Sequence, residues 1–202
     1  MKLYYSPGAC SLASHVVLHE IGKPFELEKV DTKTKITENG ADFRAINSKG
    51  AVPALDIGEG EVLTEGAAIL QYIADSNGAV ELSPPSGTLA RARVQEMLNF
   101  VASELHKAFV PFYLPSTTDE GREEAKKTVG RKFDWLEAKL SDGRAYLTGN
   151  TFTVADAYAF VITGWANVMQ MPLESWPKLK AFVERVGQRP SVQTAMRAEG
   201  LI

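Results

Sequence analysis

Over roughly the first 76 residues the apolar positions change period several times. Leu3 to Tyr5 is a short apolar run closed by a tight turn on Pro7 and Gly8, so a strand gives way to a helix at Ser11. From Ser11 to Ile21, Leu12, Val16, Val17 and Ile21 recur at helical spacing, and Gly22 ends the helix with Pro24 just beyond. Phe25 to Val30 alternates apolar with charged side chains and reads as a second strand. Asp31 to Gly40 is polar and weakly periodic, which predicts a loop, and Asp42 to Ile46 predicts a short helix. Ala51 to Ile57 reads as a strand opened by Pro53, since proline gives no ladder donor there. Gly58-Glu59-Gly60 turns it into Glu61-Val62-Leu63 as a hairpin. Ala67 to Ala74, apolar at Ala67, Ile69, Leu70 and Ile73, predicts another helix.

Beyond Gly78–Gly87, a joint rich in Pro, Gly and Ser, every signal is helical. Leu89 to Leu114 places Val94, Met97, Leu98, Val101, Leu105 and Phe109 on one face of a single long helix. Arg122 to Leu140 is amphipathic through Val129, Phe133, Leu136 and Leu140. Val154 to Met171 is apolar nearly all round, the mark of a helix buried on every side. Shorter helices are predicted over Pro177–Val186 and near Val192–Met196. The expected organisation is an α/β domain over 1–77, a linker over 78–87 and an all-helical domain over 88–202. The junction of two such domains is a usual place for a ligand pocket.

Composition narrows the function without naming it. The net charge of -3 argues against a nucleic-acid or anionic-membrane surface. No apolar run approaches the roughly 18 residues that span a bilayer. The N-terminus lacks the basic and apolar regions of an export signal. One cysteine forms no internal disulfide, and zinc-type spacing is absent, so the chain fits a reducing compartment such as the cytoplasm.

That cysteine, Cys10, falls at the first strand-to-helix junction. A helix N-terminus carries partial positive charge and unpaired N–H groups, which favour thiolate over thiol. A lone sulfur there is either a reactive nucleophile or a small buried hydrophobe. Val52-Pro53 is compatible with a cis bond that would aim the Val52 N–H and C=O at an extended peptide, or with a trans proline opening a strand. Thr64-Glu65-Gly66 begins a helix. Its N–H groups suit a carboxylate while Glu65 suits an ammonium, as at a free amino-acid end; alternatively Thr64 is a plain cap. Asn99, Ser103 and His106 lie within about 60° of one another on the long helix. They form either a solvated stripe or, through His106, a partner for a thiolate as neutral donor or imidazolium. His15 and His19 are four apart, but no further ligands accompany them and no metal site is expected. Thr153-Val154-Ala155-Asp156 fits a capping box, with Asp156 structural rather than catalytic.

Taken together, these stretches resemble the glutathione transferase family, in its bacterial cysteine-type (beta) class, over essentially the whole chain. The segments that carry the likeness are Tyr5–Leu12, Gly50–Leu55, Leu63–Gly66, Glu104–Lys107 and Phe152–Asp156. The resemblance implies a thioredoxin-like domain, a helical domain and a homodimer with glutathione as co-substrate and no metal. It assigns Val52 to the cysteinyl backbone of glutathione, Glu65 and Gly66 to the γ-glutamyl end, and Lys35 to the glycyl end. Asn99, Ser103, Glu104, His106 and Lys107 would line the site from the helical domain, with Cys10 and His106 as the catalytic pair at the sulfur. Gly66 departs from the Ser found in many members and lacks its hydroxyl donor. Cys10-Ser11-Leu12-Ala13 is no C-x-x-C, which removes a dithiol cycle.

The expected activity is attack of the glutathione thiolate on a small hydrophobic electrophile, against walls such as Phe109, Phe112, Tyr113 and Trp165. One rival is a monothiol reductase or dehalogenase working through a Cys10–glutathione mixed disulfide. The other is a non-catalytic binding protein that keeps the fold.

Overall fold

Strands β1 (Lys2–Tyr5), β2 (Glu26–Asp31), β3 (Ile36–Thr37), β4 (Ala54–Gly58) and β5 (Glu61–Thr64) form one mixed sheet of spatial order β3-β2-β1-β4-β5. The computed structural model that shows this describes all 202 residues. β1 pairs parallel with β2 and antiparallel with β4. A parallel pair needs a crossover, and α1 (Ser11–Ile21) supplies it. Gly22 closes α1 in the left-handed conformation, its N–H on the Leu18 carbonyl, as its sequence position predicts. α2 (Phe43–Ile46) is one turn capped by Asp42, and α3 (Gly66–Ser76) follows the β4–β5 hairpin. The segment expected as a plain loop contains β3, a two-residue strand that exists because Val30 and Asp31 pair with Thr37 and Ile36.

The chain divides into two packing units, and its C-terminal end departs from expectation. Met1–Ser83 and Gln188–Ile202 form the first unit, and Pro84–Gly187 forms the second. The expected helical domain over 88–202 is thus corrected at residue 188. The reason is α10 (Pro190–Ala198), which packs along α1. Eight consecutive residues of α1, Ser11 to Leu18, are buried, because β1, α3 and α10 surround it. Polar ties hold α10 at both ends. Arg189 donates to both Glu20 carboxylate oxygens at 2.8 and 2.9 Å, and Ser191 Oγ donates to Glu20 as well. Just past α10, Glu199 meets His15 Nδ1 at 2.9 Å with both side chains fully buried.

In the second unit, the single long helix expected over Leu89–Leu114 is interrupted. α4 (Leu89–Phe100) passes into a π-helical turn over Val101–Leu105, where the His106 N–H reaches the Val101 carbonyl five residues back. α5 (His106–Ala108) and α6 (Val110–Tyr113) follow, and Pro111 has no N–H to continue the ladder. The apolar face still holds: Val94, Met97, Leu98, Val101, Leu105 and Phe109 are all buried. α7 (Asp119–Leu140) buries Val129, Phe133, Leu136 and Leu140. α8 (Val154–Val168) is buried through Thr163 and emerges at its end, where Val168 is exposed. Its capping box is present. Asp156, fully buried, accepts from Leu147 N and Thr153 N at 2.8 Å and from Thr153 Oγ1 at 2.7 Å. α9 (Pro177–Gly187) closes the unit, and no helix of the chain is long and apolar enough to cross a membrane.

Candidate functional site

Within the first unit Cys10 and Lys35 both reach the backbone of residues 50–52, while Glu65 and Gly66 lie at the start of α3. The carbonyls of three consecutive residues each accept from a side chain elsewhere in the unit. Lys35 Nζ donates to Gly50 O at 2.8 Å, Asn47 Nδ2 to Ala51 O at 2.7 Å, and Cys10 Sγ to Val52 O at 3.3 Å. The Val52–Pro53 bond is cis, and the Val52 N–H bonds to no backbone carbonyl. An extended ligand laid along 50–52 thus meets a backbone whose position is already set.

The Cys10 turn is held just as closely. Gly8, at φ +69°, donates its N–H to Glu199 Oε2 at 2.9 Å, and Ser11 Oγ bridges the Ser6 N–H and carbonyl. Glu199 therefore links the buried His15 to the backbone two residues before the sulfur. His15 Nε2 in turn lies 3.2 Å from His19 Nε2. Sequence reading missed Glu199, whose partners lie more than 180 residues away. It set His15 and His19 aside only as a metal pair.

Of the two alternatives left open at Cys10, its surroundings favour the protonated thiol. Burial pushes its thiol up to about 11, against the first-turn N–H groups of Cys10 and Ser11, with the Glu65 charge adding to the rise. Removing a thiolate from water outweighs the helix terminus here. At neutral pH the group is an S–H donor.

At the start of α3, Glu65 sits at φ +70°, a backbone region that costs a non-glycine residue about 1–3 kcal/mol and clusters at ligand clamps. Its carboxylate does not cap the helix and turns instead to the Lys49 ammonium, which also donates to Thr64 Oγ1 at 2.8 Å. Thr64 ends β5 and is no cap. The first N–H groups of α3, at Gly66 and Ala67, reach no backbone carbonyl, the usual state of a helix start. Lys49 is a second residue missed by sequence reading; its partners lie 15 and 16 positions further along the chain, which hid it.

Within the second unit the expected residues separate. Asn99, Ser103 and Glu104 line an open groove of about 480 Å³ with Phe100, Lys132 and Trp135, and neither His106 nor Lys107 lines it. Ser103 Oγ returns to the Asn99 carbonyl, and Glu104 pairs with Lys132. His106 instead meets Tyr158 Oη through Nδ1 at 2.8 Å, with the Trp165 ring 4.9 Å away and nearly perpendicular. Burial first, and the Lys107 charge second, bring the imidazole down to about 4, which favours the neutral-donor alternative at neutral pH. Phe109 and Tyr113 also meet Trp165 edge-on, at 5.8 and 5.6 Å, and Phe112 lies 6.0 Å from Phe109.

Comparison with known proteins bears on the fold and the family. Residues 8–76 match the family model of the glutathione S-transferase N-terminal domain, and residues 100–190 match that of the C-terminal domain. The chain is 44% identical to the glutathione S-transferase GstA of Escherichia coli O157:H7 over the full length of both. Among solved structures, a ternary complex of BphK, a bacterial glutathione S-transferase, superposes with a TM-score of 0.96 at 44% identity, covering both chains fully. The bacterial beta-class enzyme of Sphingomonas chungbukensis gives 0.96 at 45%, again with full coverage.

Proposed function

Since the chain belongs to the glutathione S-transferase family, as a beta-class transferase with a thioredoxin-like sheet unit and a helical unit, we propose that it joins the glutathione thiol to small hydrophobic electrophiles. The observation that carries this reading is the Cys10 thiol seated on the Val52 carbonyl, beside a Val52 N–H that no backbone carbonyl takes. The cysteinyl unit of glutathione pairs with Val52 as a strand would. Without ligand the Val52 carbonyl accepts from the Cys10 S–H, and in the complex it accepts from the ligand N–H instead, which releases the S–H. The γ-glutamyl carboxylate takes the first N–H groups of α3 at Gly66, its ammonium takes Glu65, and Lys35 serves the glycyl carboxylate. Asn99, Ser103, Glu104 and Lys107 are assigned as further polar contacts.

In the reaction, the glutathione thiol gives its proton to water. The thiolate then attacks the electrophilic carbon, and the bond to the leaving group breaks with its electron pair. The Cys10 S–H, freed from Val52 O when the ligand N–H takes its place, turns to the glutathione sulfur, and with the His106 N–H it stabilises the thiolate before it reacts. The aromatic group of Phe109, Phe112, Tyr113 and Trp165 supplies the apolar wall for the electrophile. The reading includes a homodimer working in the cytoplasm, which sedimentation and cell fractionation check.

Steady-state conjugation of an activated aryl halide by wild type and Cys10→Ala tests the proposal. Conjugation that survives in the variant supports it. Retention of glutathione without turnover of any electrophile or disulfide identifies a binding protein instead. A glutathione-sized mass on Cys10, with disulfide reduction lost in Cys10→Ala, identifies the mixed-disulfide route.

A further inference from the structure

His106 offers one donor only if its single ring proton lies on the right nitrogen, and a neutral imidazole has two choices. Its Nδ1 stands 2.8 Å from Tyr158 Oη. Either the hydroxyl donates to a bare Nδ1, leaving the proton on Nε2, or Nδ1–H donates to the hydroxyl and Nε2 is bare. A phenol titrates near 10 and is a far stronger donor than a neutral imidazole N–H. The imidazole lone pair, whose conjugate acid titrates near 6.5, is the better acceptor. The first arrangement matches the stronger donor with the stronger acceptor.

The hydroxyl is also well placed to impose that choice. Tyr158 is 5% exposed and belongs to the buried run of α8, whose start is fixed by the Thr153–Asp156 capping box. The His106 ring is held nearly perpendicular to Trp165, at 4.9 Å and 76°, and to Tyr158 itself, at 6.0 Å and 86°. A side chain on a rigid element with a fixed partner is what keeps a functional ring in one orientation.

We infer that the Tyr158 hydroxyl fixes His106 in the tautomer that carries its proton on Nε2, which makes Tyr158 a positioning residue for the His106 donor. The inference rests on the transferase reading only for its consequence in catalysis. The tautomer itself is a property of the helical unit, readable without substrate.

The test combines nitrogen NMR with a double-mutant cycle. Long-range proton–nitrogen spectra of histidine-labelled protein, assigned by loss of signals in His106→Ala, are expected to show a protonated Nε2 and a bare Nδ1. In Tyr158→Phe, which keeps ring and packing, the Nδ1 signal moves to its unbonded position. In the same variant, kcat with an aryl halide falls about two- to tenfold at unchanged KM for glutathione, the rate equivalent of one neutral hydrogen bond. That fall disappears when His106 is already Ala. A proton on Nδ1 in the wild type overturns the inference, as does an equal fall in both backgrounds, which is what a packing role gives. If the nitrogen signals behave as stated but no electrophile is turned over, the tautomer assignment stands and the transferase reading fails.

Discussion

Cys10 and His106 stand in different units, at the start of one helix and the end of a π-helical turn, and burial dominates both. It raises the thiol to about 11 and lowers the imidazole to about 4, so both are uncharged at neutral pH. The two chemistries respond in opposite directions because burial disfavours whichever form is charged. Each neutral group is then directed by one oxygen: the Val52 carbonyl accepts from the thiol, and the Tyr158 hydroxyl meets His106 Nδ1. The pair teaches that loss of water favours the neutral form of an acid and of a base alike, whatever element carries it. Asp156 is the instructive opposite. Burial raises its carboxyl to about 6, yet three bonds from Leu147 and Thr153 favour the ionised form, and its task is to hold α8.

The contrast breaks most visibly at Asp156. Asp156→Ala leaves buried donors without acceptors and is expected to destabilise the fold by roughly 3–5 kcal/mol, read from denaturant midpoints, a structural loss. Next comes His106→Ala, which removes a donor to a charged acceptor. It is expected to lower kcat about 10- to 100-fold with the fold intact, in steady-state kinetics. Cys10→Ala removes the weaker S–H donor and is expected to cost about two- to tenfold in conjugation. A larger loss there than at His106 would reverse the ranking. A separate effect, on folding and not on turnover, lies in the pH dependence of stability. A folded-state imidazole lowered to about 4 binds its proton later than the unfolded chain does. Stability therefore falls as pH drops from about 6.5 to 4, and the slope should flatten in His106→Phe, measured by thermal melts across that range.

Periodicity located the strands and helices around the sheet, the Gly22 cap, the β4–β5 hairpin and the Thr153–Asp156 box, because each is decided within a few residues. What it missed is decided elsewhere. β3 exists through its pairing with β2 rather than through its own polar sequence. α10 joins the first unit through Arg189, Ser191 and Glu199, whose partners Glu20 and His15 lie far back in the chain. The π-helical turn leaves the buried face of α4 to α6 intact, so spacing carries no trace of it. For the site, Cys10, Val52 and Glu65 stood out by position, whereas Lys49, Glu199 and Tyr158 are known only by what they touch. Position alone left Cys10 open between a reactive nucleophile and a small buried hydrophobe for the same reason. A helix terminus is visible in sequence, and the loss of water around a sulfur is not.

The pH dependence of Cys10 alkylation, followed by mass spectrometry in the absence of glutathione, tests the central claim most directly. A neutral, half-buried thiol predicts a rate that stays low through neutrality and climbs toward an apparent pKa of about 11. A rate already at its plateau by pH 7 would mean a resident thiolate, and Cys10 would then be the nucleophile.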